Sequence, residues 1–221
     1  MKNVYKALLL ASATFLVNPA HAGFGSLLDK KTSQPSEDAY VIQDKLVKTY
    51  VLSATSINAA QIELAKAFEL KDIAAKLEAE KEALSSGSVI DEDSIEKTTE
   101  VSKEANIAIQ EKIKSGATVS EEGKAHYIKS FAPYIKGLIS GKSVTEEAKP
   151  FLDSAKSTIS SAGFTKKLSV TNKLKAGTFV ATTMPSYIKS LWDTSQLMVT
   201  YGKDNKIDVP KDATESIGDM F

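Results

Sequence analysis

A chain of 221 residues with 28 basic and 28 acidic side chains, formally neutral, has room for one domain or two small ones and no charge excess with which to hold a polyanion. All 28 basic residues are Lys, so the guanidinium forks that read guanine edges or clamp phosphates are missing, which argues against a nucleic-acid partner. There is no Cys, which removes disulfides, iron–sulfur ligation, thiol catalysis and a Cys-linked lipid anchor; stability has to come from packing.

The first segment, 1–22, reads as a cleaved export signal. Lys2 and Lys6 supply its positive start, Ala7–Val17 (ALLLASATFLV) is the apolar run, and Ala20-His21-Ala22 is a small-x-small cleavage site ahead of Gly23. The run is too short to span a bilayer as a helix, which needs about 20 residues. The expected product is a periplasmic or secreted protein beginning near Gly23. No twin-arginine pair is present, so export unfolded by the general route is expected, which disfavours a large cofactor loaded beforehand. Without Lys2 and Lys6 the remaining chain carries a formal charge of −2.

Residues 23–35 form a flexible leader with Phe24, Leu27 and Leu28 as its apolar group. Ser36 then offers a cap, followed by Glu37 and Asp38 where a helix dipole favours acids. No Pro or Gly appears again until Gly87. Val47, Tyr50, Ala54, Ile57, Gln61, Leu64 and Phe68 alternate in steps of three and four, the coiled-coil-like spacing of one buried face. Unbroken, a helix over 37–84 would be about 72 Å long and the longest of the protein; the pattern slips near Lys71–Ile73, where a kink or break is expected. A second helix is predicted over about 91–115 with a thin face of Ile95, Thr98, Ser102, Ala105, Ile109 and Ile113.

Two later segments repeat one another. Ser115–Lys124 reads SGATVSEEGK and Ser140–Lys149 reads SGKSVTEEAK, with aromatic residues following at Tyr127 and Phe151. Ser86-Gly87-Ser88-Val89 is a weaker third copy. Each reads as a joint in which Gly ends one helix and Ser120 or Thr145 caps the next. A third helix over about 121–139, kinked or split at Pro133, and a fourth over about 146–161 follow. Phe164–Thr183 suggests a helix interrupted near Gly177 and leaves a short strand open. Thr183-Met184-Pro185 opens a final helix through Tyr201, with Ile188, Leu191, Ser195 and Met198 on one face. Residues 202–221 read as a polar tail with anchors at Ile207, Val209, Ile217 and Phe221.

The expected fold is therefore all-α, an up-and-down bundle of about five to seven helices over 36–201 with one long N-terminal helix. Charge is uneven along it. Glu63 to Glu122 carries 15 acidic and 8 basic residues, whereas Phe164 to Tyr201 carries five Lys against Asp193 alone. A packed or solvated pair of stretches explains this, as does a basic, apolar element facing an anionic partner or membrane.

Catalytic signatures are sparse. His126 is the single His after residue 22, which with no Cys argues against structural zinc. No nucleophile elbow, phosphate loop, dinucleotide fingerprint or metalloprotease helix occurs. Asp91, Glu92, Asp93 and Glu96 read as helix-start acids. Asp204, Asp208 and Glu215 fall in a calcium-loop register, but Lys206 and Val209 occupy positions that loop reserves for a ligand and a Gly. No cofactor, metal or catalytic set is assigned.

Two main readings remain. The first is a non-catalytic exported scaffold or interaction module, whose partner is another exported protein or its own copy. The second is a lipid-binding or membrane-active bundle using Ala176–Tyr201, where Phe179, Tyr187, Trp192, Met198 and Tyr201 suit lipid or partner contact. A third, an enzyme centred on His126 and a nearby carboxylate, requires a cleft around that ring.

Overall fold

The computed structural model describes residues 38–85 and 91–218. The signal-like segment, the leader with Phe24, Leu27 and Leu28, Ser36 and Glu37, the turn copy at 86–89, and Phe221 lie outside the described residues. Within them the chain forms seven helices and no strand: α1 (Ala39–Ala67), α2 (Lys71–Ser85), α3 (Glu92–Lys114), α4 (Glu121–Ser161), α5 (Lys167–Lys173), α6 (Lys175–Asp204) and α7 (Lys211–Gly218).

The five long helices alternate in direction, giving the expected up-and-down bundle. α1 and α4 are antiparallel: Lys45 pairs with Glu147 at 3.0 Å, Ser53 Oγ donates to Gly137 O at 2.8 Å, and Glu63 meets His126 at 2.7 Å. α4 and α6 are antiparallel too, with the hydroxyls of Tyr127 and Tyr134 donating to the carbonyls of Met198 and Leu191 at 2.7 and 3.0 Å. α2 runs against α3 through Lys76–Glu104 and Lys97–Glu80, both at 2.6 Å. α3 and α6 are parallel, with Glu92 beside Lys175 and Gln110 beside Thr194.

The core follows from a seven-residue rhythm. In α4 the buried positions Gly123, Tyr127, Ser130, Tyr134, Gly137, Gly141, Val144, Ala148, Phe151 and Ala155 alternate in steps of four and three. In α1 the matching stripe is Leu46, Tyr50, Ser53, Ile57, Ala60, Leu64 and Ala67. This is the spacing of a coiled-coil seam; of the expected face Tyr50, Ile57, Gln61, Leu64 and Phe68 are buried, while Val47 and Ala54 are only half-buried and the stripe shifts by one position there, to Leu46 and Ser53. The shift brings the small side chains Ser53, Ala60 and Ala67 under α4, where the glycines allow close approach. A Cβ at Gly137 would stand 2.6 Å from Ile57, and one at Gly141 would collide with Ile188 of α6.

Several expected boundaries move. α1 ends at Ala67, where Glu69 takes a φ of 56° and the chain turns into α2, so the break falls just before Lys71. The first turn motif behaves as expected: Gly116 takes a φ of 66° after α3, and Ser120 Oγ accepts from Gly123 N at 3.0 Å. The second does not. Gly141 is a contact residue rather than a joint, so the expected third and fourth helices are one helix of 41 residues that includes Pro133 and Pro150. That helix, about 60 Å long, is the longest, in place of 37–84. The final helix begins at Lys175 rather than at Thr183, and the open strand option for 164–183 gives way to α5 and α6. Gly177 stays helical because the Phe151 ring packs where its side chain would be, 2.6 Å from a built Cβ. α1 is capped by Asp38, whose carboxylate accepts from Tyr40 N at 3.0 Å.

Candidate functional site

Three places on the bundle carry defined chemistry, two at the surface and one buried. The first is a cleft of about 440 Å³ between the end of α1, the start of α2 and the first turn of α4. Ala67 O lies 2.8 Å from where a Cβ on Gly123 would sit, so α4 starts directly on the last turn of α1. The cleft is lined by Lys66, Glu69, Lys71, Glu78, Glu122 and His126 among others. Lys66 and Glu78 bridge one wall at 2.9 Å, and that hydrogen bond holds the Lys66 ammonium above its ordinary range.

His126 is half-buried in this cleft, with Nδ1 2.7 Å from Glu63 Oε2. In the neutral imidazole, Nδ1–H donates to the Glu63 carboxylate and the lone pair sits on Nε2. A carboxylate-oriented imidazole can take or give a proton. Among the described residues this is the one hydrogen bond the His126 side chain makes, and no hydroxyl is bonded to its other nitrogen.

The second place is the α3–α6 seam, which is polar for a buried interface. Tyr187 and Ser102 hydroxyls meet at 2.5 Å, and Ser102 Oγ donates to Gln61 Oε1 at 2.7 Å. Asn106 Nδ2 donates to Ser190 Oγ at 3.2 Å, Gln110 Nε2 to Thr194 Oγ1 at 2.6 Å, and the Tyr201 hydroxyl to Ala117 O. Tyr50 extends the network toward α1, donating to Ile95 O at 3.1 Å beside Thr99. Glu80, 4 % exposed, is satisfied by Lys97 at 2.6 Å and by the Thr98 hydroxyl at 3.1 Å. Burial pushes the Tyr50 phenol up to about 12 and raises those of Tyr127, Tyr134, Tyr187 and Tyr201 as well. The void beside this network, lined by Tyr50, Thr99, Met184, Tyr187 and Leu191 among others, measures about 10 Å³, room for no more than one water.

The third place is a shallow groove of about 690 Å³ along the start of α1, lined by Gln43, Asp44, Val47, Lys48, Val51, Leu52 and by Ala176 of α6. Leu52 is 59 % exposed, and Val41 above it 53 %. Gln43 holds the two helices together here, donating to Lys173 O at 2.9 Å and accepting from Gly177 N at 3.1 Å.

The five residues singled out on 176–201 are spread along α6. Tyr187, Met198 and Tyr201 are buried. Phe179 and Trp192 are half-buried against the same core, and the Trp192 indole donates to Ile217 O of α7 at 3.2 Å. Ile207 and Ile217, read as anchors of the tail, are buried. Asp91 caps α3 through Ser94, whose N–H and hydroxyl hold its carboxyl below the usual range. No group of His, Asp and Glu able to hold a metal ion occurs among the described residues, and no described helix is long and apolar enough to cross a membrane. The α1 groove was not singled out from sequence. Its signal was the outward side of the first helix, where Val41, Val51 and Leu52 interrupt Asp44, Lys45 and Lys48. Comparison of the chain with protein families, with curated proteins and with solved structures gave no match.

Proposed function

We propose that this is an exported, non-catalytic helical scaffold that engages another polypeptide chain along the groove on α1. The observation that carries the reading is the pairing of exposed Leu52 and Val41 with a preformed concavity on a long, close-packed helix pair. Apolar side chains flanking a groove and bordered by charges, here Asp44 and Lys48, are the usual elements of helix-in-groove recognition. A lipid carried beside Tyr187 and Met184 would need far more room than the roughly 10 Å³ void there. The His126 cleft keeps an acid–base pair but lacks a bonded nucleophile among the described residues, so it supports the scaffold reading less than it would support a binding role for a small polar group.

The test is site-specific photo-crosslinking in the exporting cell, with benzoylphenylalanine in place of Leu52 and, as a control, in place of exposed Lys136. The expected result is a discrete adduct from position 52 and none from 136. The adduct's mass tells a second copy of the chain from a different protein. Equal labelling from both positions, or no protein adduct from 52, would overturn the proposal.

A further inference from the structure

The connection between α4 and α6 is built unlike the rest of the bundle. α4 is paired to α1 as far as Lys45–Glu147, and α1 begins only at Ala39, so the last turns of α4 run past the first residue of α1. The chain then turns at Gly163 and forms α5, a seven-residue helix with no buried residue. Phe164 is 93 % exposed and Leu168, four residues on, is 73 % exposed. These are the most exposed large apolar side chains among the described residues. Neither touches the core, so neither is explained by folding.

Along the chain on either side of them the charges have one sign. Between Asp153 and Asp193 there is no acidic residue, and Lys156, Lys166, Lys167, Lys173 and Lys175 all lie on this corner. Lys175 pairs with Glu92 at 3.6 Å; the other four form no ion pair among the described residues. Other acids at this end of the bundle lie on other elements: Asp38 caps α1, Asp153 sits two turns back on α4, Asp91 caps α3 and Glu92 faces Lys175. Phe and Leu flanked by flexible Lys, on a convex corner, match the way peripheral proteins seat on anionic bilayers: apolar side chains enter the interface while ammonium groups stay among the headgroups.

A protein partner fits this corner less well. A specific protein interface covers about 800 Å² per side, and two exposed apolar side chains on a seven-residue helix and its turn provide much less. A bilayer demands no such area, because its surface conforms to the wedge.

We infer that the corner from Phe164 to Lys175 docks this protein on an anionic lipid surface, with Phe164 and Leu168 inserted and Lys166, Lys167 and Lys173 at the headgroups. This goes beyond the scaffold reading and does not depend on it, since the α1 groove is made by other residues.

The experiment uses the protein purified from the exported fraction and vesicles of phosphatidylcholine with or without phosphatidylglycerol. Association is expected with the anionic vesicles only, and high salt weakens it. The pair Phe164→Ser and Leu168→Ser lowers the partition coefficient at least about tenfold, and Lys166→Glu with Lys167→Glu removes binding. Because the chain has no Cys, Thr165→Cys and Thr118→Cys each give a single labelling site, at opposite ends of α4. An environment-sensitive dye at 165 shifts to the blue on vesicles while one at 118 does not, in chains whose apolar and basic residues are untouched. Equal binding to neutral vesicles, no binding, indifference to the four substitutions, or the same dye response at both positions would each overturn the inference. None of these outcomes bears on crosslinking from position 52.

Discussion

Gly137 and Gly141 sit one turn apart on α4 and take the side chains of two different helices. Ile57 of α1 lies over the first and Ile188 of α6 over the second, while the Ser53 hydroxyl bonds the carbonyl of Gly137. A methyl group at 141 meets both Cδ1 and Cγ1 of the buried Ile188 and lies close to the Ser53 hydroxyl, so the whole Ile188 side chain would have to move within the core. Gly141→Ala is therefore expected to lose about 1–3 kcal/mol of stability through overpacking, in spite of the helix propensity it gains. Gly163 has open space where its Cβ would point and no left-handed φ. Gly163→Ala is expected to be neutral within about 0.5 kcal/mol. Urea unfolding midpoints of the two variants, measured together, check the contrast. Residue chemistry of this kind was only half legible. Ser120 was readable as a cap because a cap acts on its own next few residues. Gly141 looked like a second joint because Ser140-Gly141 repeats Ser115-Gly116, and nothing local reveals that another helix fills its surface.

At the scale of the element, α4 and α3 illustrate opposite balances. α4 carries a buried stripe that keeps its four–three rhythm from Gly123 to Ala155, and that continuous burial outweighs two interior prolines and three buried glycines. Read in sevens, the sequence held this signal; reading Gly and Pro as punctuation concealed it. Pro150 is exposed and mid-helix, so its lost hydrogen bond to residue 146 brings no packing gain. Pro150→Ala is expected to raise stability by about 1–3 kcal/mol, seen as a higher midpoint in thermal unfolding, and an unchanged or lower midpoint would mean that the proline shapes the end of α4. α3 meets its neighbours through apolar Ile95, Ala105, Ile109 and Ile113 interleaved with hydrogen-bonding Thr98, Thr99, Ser102, Asn106 and Gln110. Its boundaries were legible to within a residue because Asp91 and Gly116 mark both ends. Its partner was not legible, since hydroxyl and amide side chains at helical spacing say only that something polar lies opposite.

For the whole molecule, five of the seven tyrosines have their phenols held above the ordinary range by burial. An acid whose folded pKa is raised keeps its proton longer in the native state than in the unfolded chain. Stability is then intact below the unfolded value and falls as pH rises above it. For Tyr50 the window runs from 10.0 to about 12, worth about 2–3 kcal/mol by the end. The expected outcome is a cooperative alkaline unfolding above pH 10.0 in which phenolate absorbance and loss of helical ellipticity coincide. Phenolate signal from all seven tyrosines well before the helices melt would show that these hydroxyls are reachable in the folded protein.

The sequence by itself determined the all-helical class and the two ends of α3. It also located the first turn motif and the change from an acidic middle to a basic region after Phe164. These depend on periodicity, capping and charge, which act over a few neighbouring residues. Only the tertiary structure decided that Gly141 is a contact, that His126 faces Glu63 across a cleft, and that Leu52 borders a groove. It alone decided that Tyr187 and Met198 are buried while Phe164 and Leu168 stand in the open. Whether an apolar side chain is core or surface depends on which helix packs over it, and in a bundle that helix can lie more than a hundred residues away, as Gln43 and Gly177 do.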